Sequence, residues 1–137
     1  MHNNKFVVNL VSKKLVEAMS LTAMEAPYGF DELRAAGLTM RVSRVIKTPH
    51  IEQSPVSFES VNHATMLTGP RQYMVIGRVV DIFIEDSFIK DKDNYYIDTQ
   101  ELDLVGRVQG TGGYIRCQDR FELRRISYEE WKNHNEN

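Results

Sequence analysis

One apolar stretch, QYMVIGRVVDIFIE at residues 72–85, constrains the fold more than any other part of the chain. β-Branched and aromatic residues dominate it, which is typical of a β-strand. Both of its alternating faces are apolar, interrupted by Arg78 on one and Asp81 on the other. A strand that is apolar on both faces needs cover on both, so we predict the central strand of a barrel or sandwich. Gly77 in its middle predicts a bend, a bulge or the close approach of another group.

Length and composition indicate one globular domain over residues 1–137, since 42% of the residues are hydrophobic and 26% are charged. The net charge of −2 gives no broad basic surface, so no nucleic-acid partner is expected. No apolar run approaches the ~20 residues that span a bilayer, and no signal peptide is visible, so no membrane partner is expected either. The single cysteine, Cys117, excludes an internal disulfide and favours the cytoplasm. On a predicted strand its thiol is expected to be a small core residue.

Shorter elements surround the apolar stretch and predict a mainly β fold with short helices. A strand at 56–67, joined to it through Thr68-Gly69-Pro70-Arg71, predicts a long antiparallel pair. Before this pair, the sequence predicts a strand at 6–11, a helix from Ser12 to about Met24 and a short helix at 31–36 ended by Gly37. After it, the sequence predicts a helical turn at 98–101, a strand at 121–123, a terminal helix that begins with a capping box at 127–130 and a frayed tail at 132–137.

The segment 38–50 carries three basic residues, Arg41, Arg44 and Lys47, spaced three apart. On an extended chain these side chains do not share one face. We therefore interpret the segment as solvated, with an anion-binding site as the alternative.

Metal and nucleophile signatures are missing from the sequence. The four histidines share no metal-ligand spacing with one another, with Cys117 or with a carboxylate, so no metal site is predicted. The acids at 91–94 resemble a calcium loop, but no glycine occupies loop position six and Leu102 stands where the bidentate acid belongs. His63 is interpreted as a surface or hydrogen-bonded histidine, with a catalytic base as the alternative. No catalytic residue can be named.

The glycine-rich segment GTGGY at 110–114 is the best candidate for ligand binding. Successive backbone N–H groups in such a loop can form an anion-binding nest, and a glycine lets a ligand come close to the backbone. Tyr114, directly after the glycines, could stack on a flat ring. The alternative is a plain turn between two strands.

Six segments in the same order resemble the flavin reductase-like family, the FMN-binding split barrel. They are FVVNLVS at 6–12, KKLVEAM at 13–19, APYGFDELRAAGLT at 26–39, SRVIKTPHIEQSPVSFES at 43–60, VIGRVVDIFIED at 75–86 and LVGRVQGTGGY at 104–114. The resemblance implies a homodimeric β-barrel that binds FMN near the subunit interface. It also implies an oxidoreductase that passes electrons from NAD(P)H to flavin, or onward through bound FMN.

The resemblance also implies where the flavin would lie. Tyr114 is expected near the flavin ring, with Arg107, Gly112 and Gly113 as supports. Asn9 lies next to the strand that leads out of the family's phosphate-binding region. Gln72 stands where many relatives carry a histidine a few residues before the central Ile-Gly; it can hydrogen-bond a flavin edge but cannot transfer a proton near neutral pH.

The chain departs from the family at its beginning. Relatives have opening strands and a phosphate-contacting segment upstream of the equivalent of Phe6, where this sequence has only MHNNK. We therefore expect a split barrel that is incomplete at the N-terminus, competent as an FMN-dependent oxidoreductase if those strands are supplied. The alternative function is a non-catalytic, truncated split-barrel fragment or a dimerising interaction module without flavin activity.

Overall fold

The computed structural model of the chain describes residues 4–135. Its strands and helices are, in order, β1 (Lys5–Asn9), α1 (Val16–Leu21), α2 (Glu32–Ala35), β2 (Met40–Arg41), β3 (His50–Ile51), β4 (Val56–Gly69), β5 (Gln72–Ile84), β6 (Ile89–Asp91), β7 (Tyr96–Ile97), β8 (Val105–Arg107), β9 (Tyr114–Arg116) and α3 (Tyr128–Asn135). Two 3-10 turns, Lys13–Leu15 and Asp86–Phe88, precede α1 and β6. The mainly β fold with short helices is confirmed.

The main sheet has three strands in the order β1-β4-β5, and both pairs are antiparallel. The predicted long hairpin is confirmed, with β4 and β5 joined at Pro70 and Arg71. The prediction that residues 72–85 form the central strand is wrong for the described part of the chain. The middle position belongs to β4, because β1 pairs along the first half of β4 and no described strand pairs with the outer edge of β5.

Other parts of the described chain pack against one face of this sheet more than against the other. One cross-strand row, Asn9–Ser57–Phe83, lies under β3, where the Phe83 ring packs 4.9 Å from the ring of His50. The neighbouring row, Val8–Phe58–Ile82, points to the opposite face because side chains alternate along a strand. Val8 is 41% exposed and Ile82 is 52% exposed. One face of the sheet is therefore covered, while residues 4–135 leave the other largely open.

Gly77 is the point of close approach that the sequence predicts. A Cβ at this position would overlap the Phe6 ring and lie 3.3 Å from the Ser60 Cβ. The ring of Phe6 thus lies across the middle of the hairpin, next to irregularities in the β4–β5 register at Glu59/Ser60 and Asn62/Ala64.

The helix ends follow the local sequence only in part. Ser12 makes no side-chain cap hydrogen bond, and the chain enters α1 through a 3-10 turn instead. Asp31 does cap α2, since its carboxylate accepts the Arg34 N–H at 3.0 Å, and Gly37 follows with φ of +67°. The turn after Asp98 is held by a 3.1 Å hydrogen bond from Glu101 N–H but does not become a helix.

The C-terminal part holds one wrong and one confirmed prediction. Residues 121–123 form no strand: Phe121 and Leu123 are exposed, and an alternating pattern does not by itself supply a pairing strand. The capping box of α3 is confirmed, because Glu130 N–H donates to Ser127 Oγ at 3.2 Å and Ser127 N–H donates to Glu130 Oε2 at 2.7 Å. The helix continues through Asn135, into the segment predicted to fray, while residues 136 and 137 lie outside the described residues.

Cys117 is exposed, so the prediction of a core thiol is wrong. It lies one residue beyond β9, at the end of the two-stranded β8–β9 ribbon, where residues 4–135 leave its side chain exposed. The most buried apolar side chains among the described residues, Ile46, Val56 and Leu102, lie instead around the start of β4. None of the described helices is both long enough and apolar enough to span a bilayer.

Candidate functional site

The β8–β9 ribbon carries the glycine-rich loop. Its strands pair antiparallel with Arg107 opposite Tyr114, and Val108 N–H donates to Gly113 O at 3.0 Å to close the loop. The ribbon is fixed beside the end of β1, because Val105 N–H donates to Val11 O at 2.9 Å. A backbone hydrogen bond therefore attaches the glycine-rich ribbon to the chain that leaves the main sheet after β1.

Arg107 and Tyr114 form the chemical centre of this ribbon. The guanidinium carbon of Arg107 lies 5.2 Å from the centroid of the Tyr114 ring, and Nη1 donates to Tyr114 Oη at 3.3 Å. Nη2 donates to the carbonyl of Gly110 at 2.7 Å. Arg107 has no carboxylate within ion-pair distance among residues 4–135. The ribbon therefore presents an aromatic ring beside a positive charge that no acid of the described chain neutralises.

Gly112 and Gly113 differ in the space around them. A Cβ on Gly113 would overlap the carbonyl oxygen of Gln109 and lie 3.1 Å from Val108 Cγ2, so the loop requires glycine there. At Gly112 a Cβ would meet nothing within 4 Å, which leaves the backbone open to approach. These features fit a flat, anionic ligand such as a flavin. The anion-binding nest itself stays a prediction.

Asn9 lies near the ribbon, but its side-chain oxygen is already used. Oδ1 accepts from Ile51 N–H at 3.0 Å and from Ser57 Oγ at 2.9 Å, so Asn9 ties β1 to β3 and β4. It also lines an apolar cavity of about 270 Å³ against α1 and α2. Its first role in this chain is structural.

Gln72 lies far from the other predicted site residues. It pairs with Gly69 at the tip of the hairpin, whereas Asn9 is level with Phe83 at the other end of β5. The separation along the strand is about 36 Å at roughly 3.3 Å per residue. Within one copy of the chain, Arg107, Gly112, Gly113 and Tyr114 are brought together, Asn9 lies at the base of the ribbon, and Gln72 is remote.

The sequence interpretation missed Glu59, the most buried charged residue described. It is 1% exposed, and its carboxylate accepts three consecutive backbone N–H groups, from Arg44 at 2.7 Å, Val45 at 2.8 Å and Ile46 at 3.0 Å. Burial alone would raise the pKa of Glu59, but the three N–H groups together lower it below its usual value. The sequence did carry a signal for this residue, because Glu59 is the one acid in the first half of the predicted strand at 56–67, where the other residues are apolar or serine.

Asp81 stands directly across the sheet from Glu59, and Arg44 pairs with it. Arg44 Nε donates to Asp81 Oδ2 at 2.9 Å, and Nη2 donates to Oδ1. The hydrogen bond from Arg44 holds the pKa of Asp81 below its usual value. Two like charges facing each other across a sheet repel, and the hydrogen bonds that each carboxylate accepts offset this repulsion.

Neither a metal cluster nor a set of three grouped ligands occurs in the part of the chain that the structure describes. The aromatic ring, the charge and the open backbone at residues 107–114 are suited to hold a flat organic ligand.

Solved structures define the class of fold. The chain is similar to the 2-nitrobenzoate 2-nitroreductase of Pseudomonas fluorescens, with 25% identity and a TM-score of 0.81 over 91% of this chain and 61% of that one. It is also similar to nitrilotriacetate monooxygenase component B of Bacillus cereus, with 27% identity and a TM-score of 0.77 over 88% of this chain and 60% of that one. The fold is a split barrel of the flavin reductase type.

The family model of the flavin reductase like domain matches residues 1–105, and the chain belongs to this family. An uncharacterised protein of Deinococcus radiodurans is 34% identical over 128 residues, which cover 93% of this chain and 56% of that protein. A second relative, from Aquifex aeolicus, is 30% identical over 77% of this chain and 53% of its own length. The chain thus spans little more than half the length of these relatives.

Proposed function

We propose that the chain is the FMN-binding part of a flavin reductase-like flavoprotein, which carries electrons from NAD(P)H to flavin or onward through bound FMN. The observation that carries the proposal is the family match over residues 1–105, which coincides with the fold of two solved relatives at 25% and 27% identity. The chain's own residues would bind and orient the flavin, and the flavin would supply the electron-transfer chemistry.

The ribbon is where we propose that the flavin ring lies. Tyr114 offers an aromatic face, Gly112 an open stretch of backbone, and Arg107 a positive charge without a carboxylate partner among the described residues. A positive charge near a flavin favours electron uptake, because reduction adds negative charge to the ring. The loop residues would therefore contribute both placement and electrostatics.

Titration with FMN tests the proposal. Native protein is expected to quench FMN fluorescence with saturation, and Tyr114→Ala is expected to weaken binding about tenfold, since stacking on an aromatic ring is worth roughly 1 kcal/mol or more. Tyr28→Ala, a fully exposed tyrosine in a turn, is the matched control and should bind like native protein. Binding that is unchanged in Tyr114→Ala would move the flavin away from the ribbon. A native chain that never quenches FMN, also with its upstream coding sequence included, would contradict the proposed function.

NAD(P)H is the electron donor that we propose, and the cytoplasm is the proposed compartment. A free, exposed Cys117 is compatible with a reducing compartment. Anaerobic addition of NADH and of NADPH to the FMN-loaded protein is expected to bleach the visible absorbance of the flavin. The faster of the two reactions identifies the preferred donor.

A second copy of the chain is the partner that we propose. The distal half of the hairpin carries exposed apolar side chains on both strands, among them Leu67, Tyr73 and Val75. Exposed apolar patches of this kind mark interaction surfaces.

The open face of the sheet favours one alternative, a dimerising module without flavin activity. Val8 and Ile82 lack cover among residues 4–135, and an uncovered face invites association. Sizing chromatography with visible absorbance detection separates the two functions in one run. A dimer that elutes with flavin supports the flavoprotein, and a dimer that stays colourless after incubation with FMN supports the module.

A further inference from the structure

An apolar cavity of about 270 Å³ lies between α1, α2 and the strands β1 and β3, and we call it the α1–α2 cavity. Its apolar lining includes Leu15, Met19, Leu33, Leu38 and Ile51. It shares no lining residue with the loop and strands at 107–114, so it is separate from the proposed flavin site.

Every side chain that lines the α1–α2 cavity is uncharged, and only Asn9, Thr22 and Ser54 among them carry a polar group. An ion that entered the cavity would lose its hydration without gaining a partner of opposite charge, so a ligand has to be neutral. Apolar cavities take up apolar molecules, and one of about 150 Å³ holds benzene. The larger volume of the α1–α2 cavity therefore admits a six-membered ring with a short substituent.

Two of the three polar side chains already use their donor proton. Thr22 Oγ1 donates to the carbonyl of Met19 at 2.8 Å. Ser54 Oγ lies 2.8 Å from each of the carbonyls of Leu10 and Val56, to which it donates. Because a hydroxyl group carries a single donor proton, neither residue has a donor left for a ligand.

Asn9 is the lining residue that keeps free donors. Its Oδ1 accepts from Ile51 N–H at 3.0 Å and from Ser57 Oγ at 2.9 Å. A backbone N–H can only donate, so the amide oxygen has to face Ile51 and the orientation of the amide is fixed. Nδ2 donates to no residue of the described range 4–135. The N–H groups of Nδ2 are thus the unused side-chain donors of the lining.

Nearby apolar side chains of the described chain do not fill the cavity. The connection between α1 and α2 carries Tyr28, which is fully exposed, and Phe30, which is 49% exposed, and neither lines the cavity. Wall atoms that face a void lack dispersion contacts, which a ligand would restore. Met19 favours an aromatic ligand, because a thioether sulfur makes favourable contacts with ring edges.

We propose that the α1–α2 cavity binds a small neutral aromatic molecule with one hydrogen-bond acceptor, which accepts from Asn9 Nδ2 while the ring packs among the apolar side chains. The volume limits the ligand to one ring, and the uncharged lining selects against acids and amines. Val11 lines the cavity and also accepts the Val105 N–H that attaches the ribbon. The ligand would therefore lie beside the attachment of the ribbon, but its binding does not depend on flavin.

Acetophenone, α-methylstyrene and benzoate have nearly the same size and shape, and they test the proposal on the purified chain without flavin. The readout is the ε-methyl resonance of Met19 in protein labelled with ¹³C at the methionine methyl groups. Acetophenone is expected to shift it saturably through its ring current, and the charged benzoate is expected to bind at least about tenfold more weakly. The methyl group of Met40, exposed on β2 outside the lining, should stay unshifted.

The side-chain amide protons of Asn9 report the hydrogen bond. Acetophenone should shift them, whereas α-methylstyrene, with a methylene group in place of the carbonyl oxygen, should move Met19 but shift these protons much less. Asn9→Asp keeps the oxygen that faces Ile51 and removes the N–H groups. It is expected to weaken acetophenone binding about fivefold relative to α-methylstyrene binding, the worth of one hydrogen bond.

Ala18→Leu fills the cavity from α1, where Ala18 lines it, and is expected to weaken acetophenone binding at least about tenfold. Ala35→Leu makes the same change at an exposed position of α2 outside the lining and should bind like native protein. Leucine is a strong helix former, so neither change opposes the helix. If Ala18→Leu does not fold, the comparison of acetophenone with benzoate on the native chain decides.

The proposal is overturned if the Met19 resonance of the native chain shows no saturable shift, or if Met19 and Met40 shift equally. Equal affinities for acetophenone and benzoate, equal shifts of the Asn9 amide protons by acetophenone and α-methylstyrene, or equal binding by Ala18→Leu and Ala35→Leu would contradict it as well. A Met19 resonance that moves with protein concentration in the absence of ligand would assign the cavity to a side chain of a second copy and overturn the proposal too.

Discussion

Glu59 shows how one side chain can fix an irregular segment. Residues 44–46 belong to neither a helix nor a strand, yet their three N–H groups converge on one carboxylate. The carboxylate lies in β4, so the segment is fastened to the main sheet. Arg44 is thereby placed to pair with Asp81.

Glu59→Gln is expected to lower the free energy of unfolding by about 2 kcal/mol, because hydrogen bonds to a buried charge are worth roughly 1.5–3 kcal/mol and the amide N–H₂ would face backbone donors. Urea unfolding followed by circular dichroism measures the change. Glu52→Gln, at an exposed acid seven residues before Glu59, is the control and should leave the unfolding midpoint nearly unchanged. Equal midpoints for the two variants would show that the carboxylate does not hold the segment.

The pKa of Glu59 makes the same contribution depend on pH. Because folding lowers this pKa, the stabilisation is complete above the unfolded value of about 4.3 and is lost as the pH falls through the lower folded value. The difference in unfolding free energy between native protein and Glu59→Gln should therefore shrink from neutral pH towards acid. A difference that stays constant from pH 7 to pH 3 would mean that the charge is not the stabilising feature.

At the scale of elements, the loop of the β8–β9 ribbon leaves no room for a side chain at Gly113. Gly113→Ala is expected to open the loop, because the added Cβ would overlap the carbonyl oxygen of Gln109. The Val108 amide, which donates to Gly113 O, should lose about tenfold or more of its protection from hydrogen exchange. Gly112→Ala meets open space and should retain it. Retained protection in Gly113→Ala would show that the loop can rearrange around a side chain.

Elements set by neighbouring residues could be predicted from the sequence, and those set by distant residues could not. The Pro70-Arg71 turn, the Asp31 cap and the Ser127–Glu130 capping box all lie within four residues. The central place of β4 depends on pairing with β1 across some fifty positions, which no local pattern encodes. The Glu59 contacts reach 13 to 15 positions into irregular chain, and the remoteness of Gln72 depends on the full length of the hairpin.

At the scale of the whole molecule, the sheet has one covered and one open face, and two matched substitutions distinguish them. Ile82→Thr on the open face is expected to change the unfolding free energy by about 0.5 kcal/mol or less and to reduce self-association, since Thr keeps the β-branched shape. Val56→Thr, at a buried position of the same hairpin, is expected to cost about 1–3 kcal/mol, because it buries a hydroxyl.

Urea unfolding and sedimentation velocity at several protein concentrations provide the measurements. A cost of Ile82→Thr that grows with protein concentration would assign the cover of this face to a second copy. If Ile82→Thr costs as much as Val56→Thr at every concentration, then the face is covered within a single chain and the open-face description fails.

The backbone hydrogen bond from Val105 to Val11 also affects the order in which the chain can fold during synthesis. β1 leaves the ribosome before its pairing strand β4, which follows some fifty residues later, and the ribbon fastened to Val11 comes later still. The β4–β5 hairpin needs only neighbouring residues and can form while the rest is being made. β1 must therefore wait for β4, and Val11 receives its hydrogen bond from Val105 only after the whole hairpin has been made.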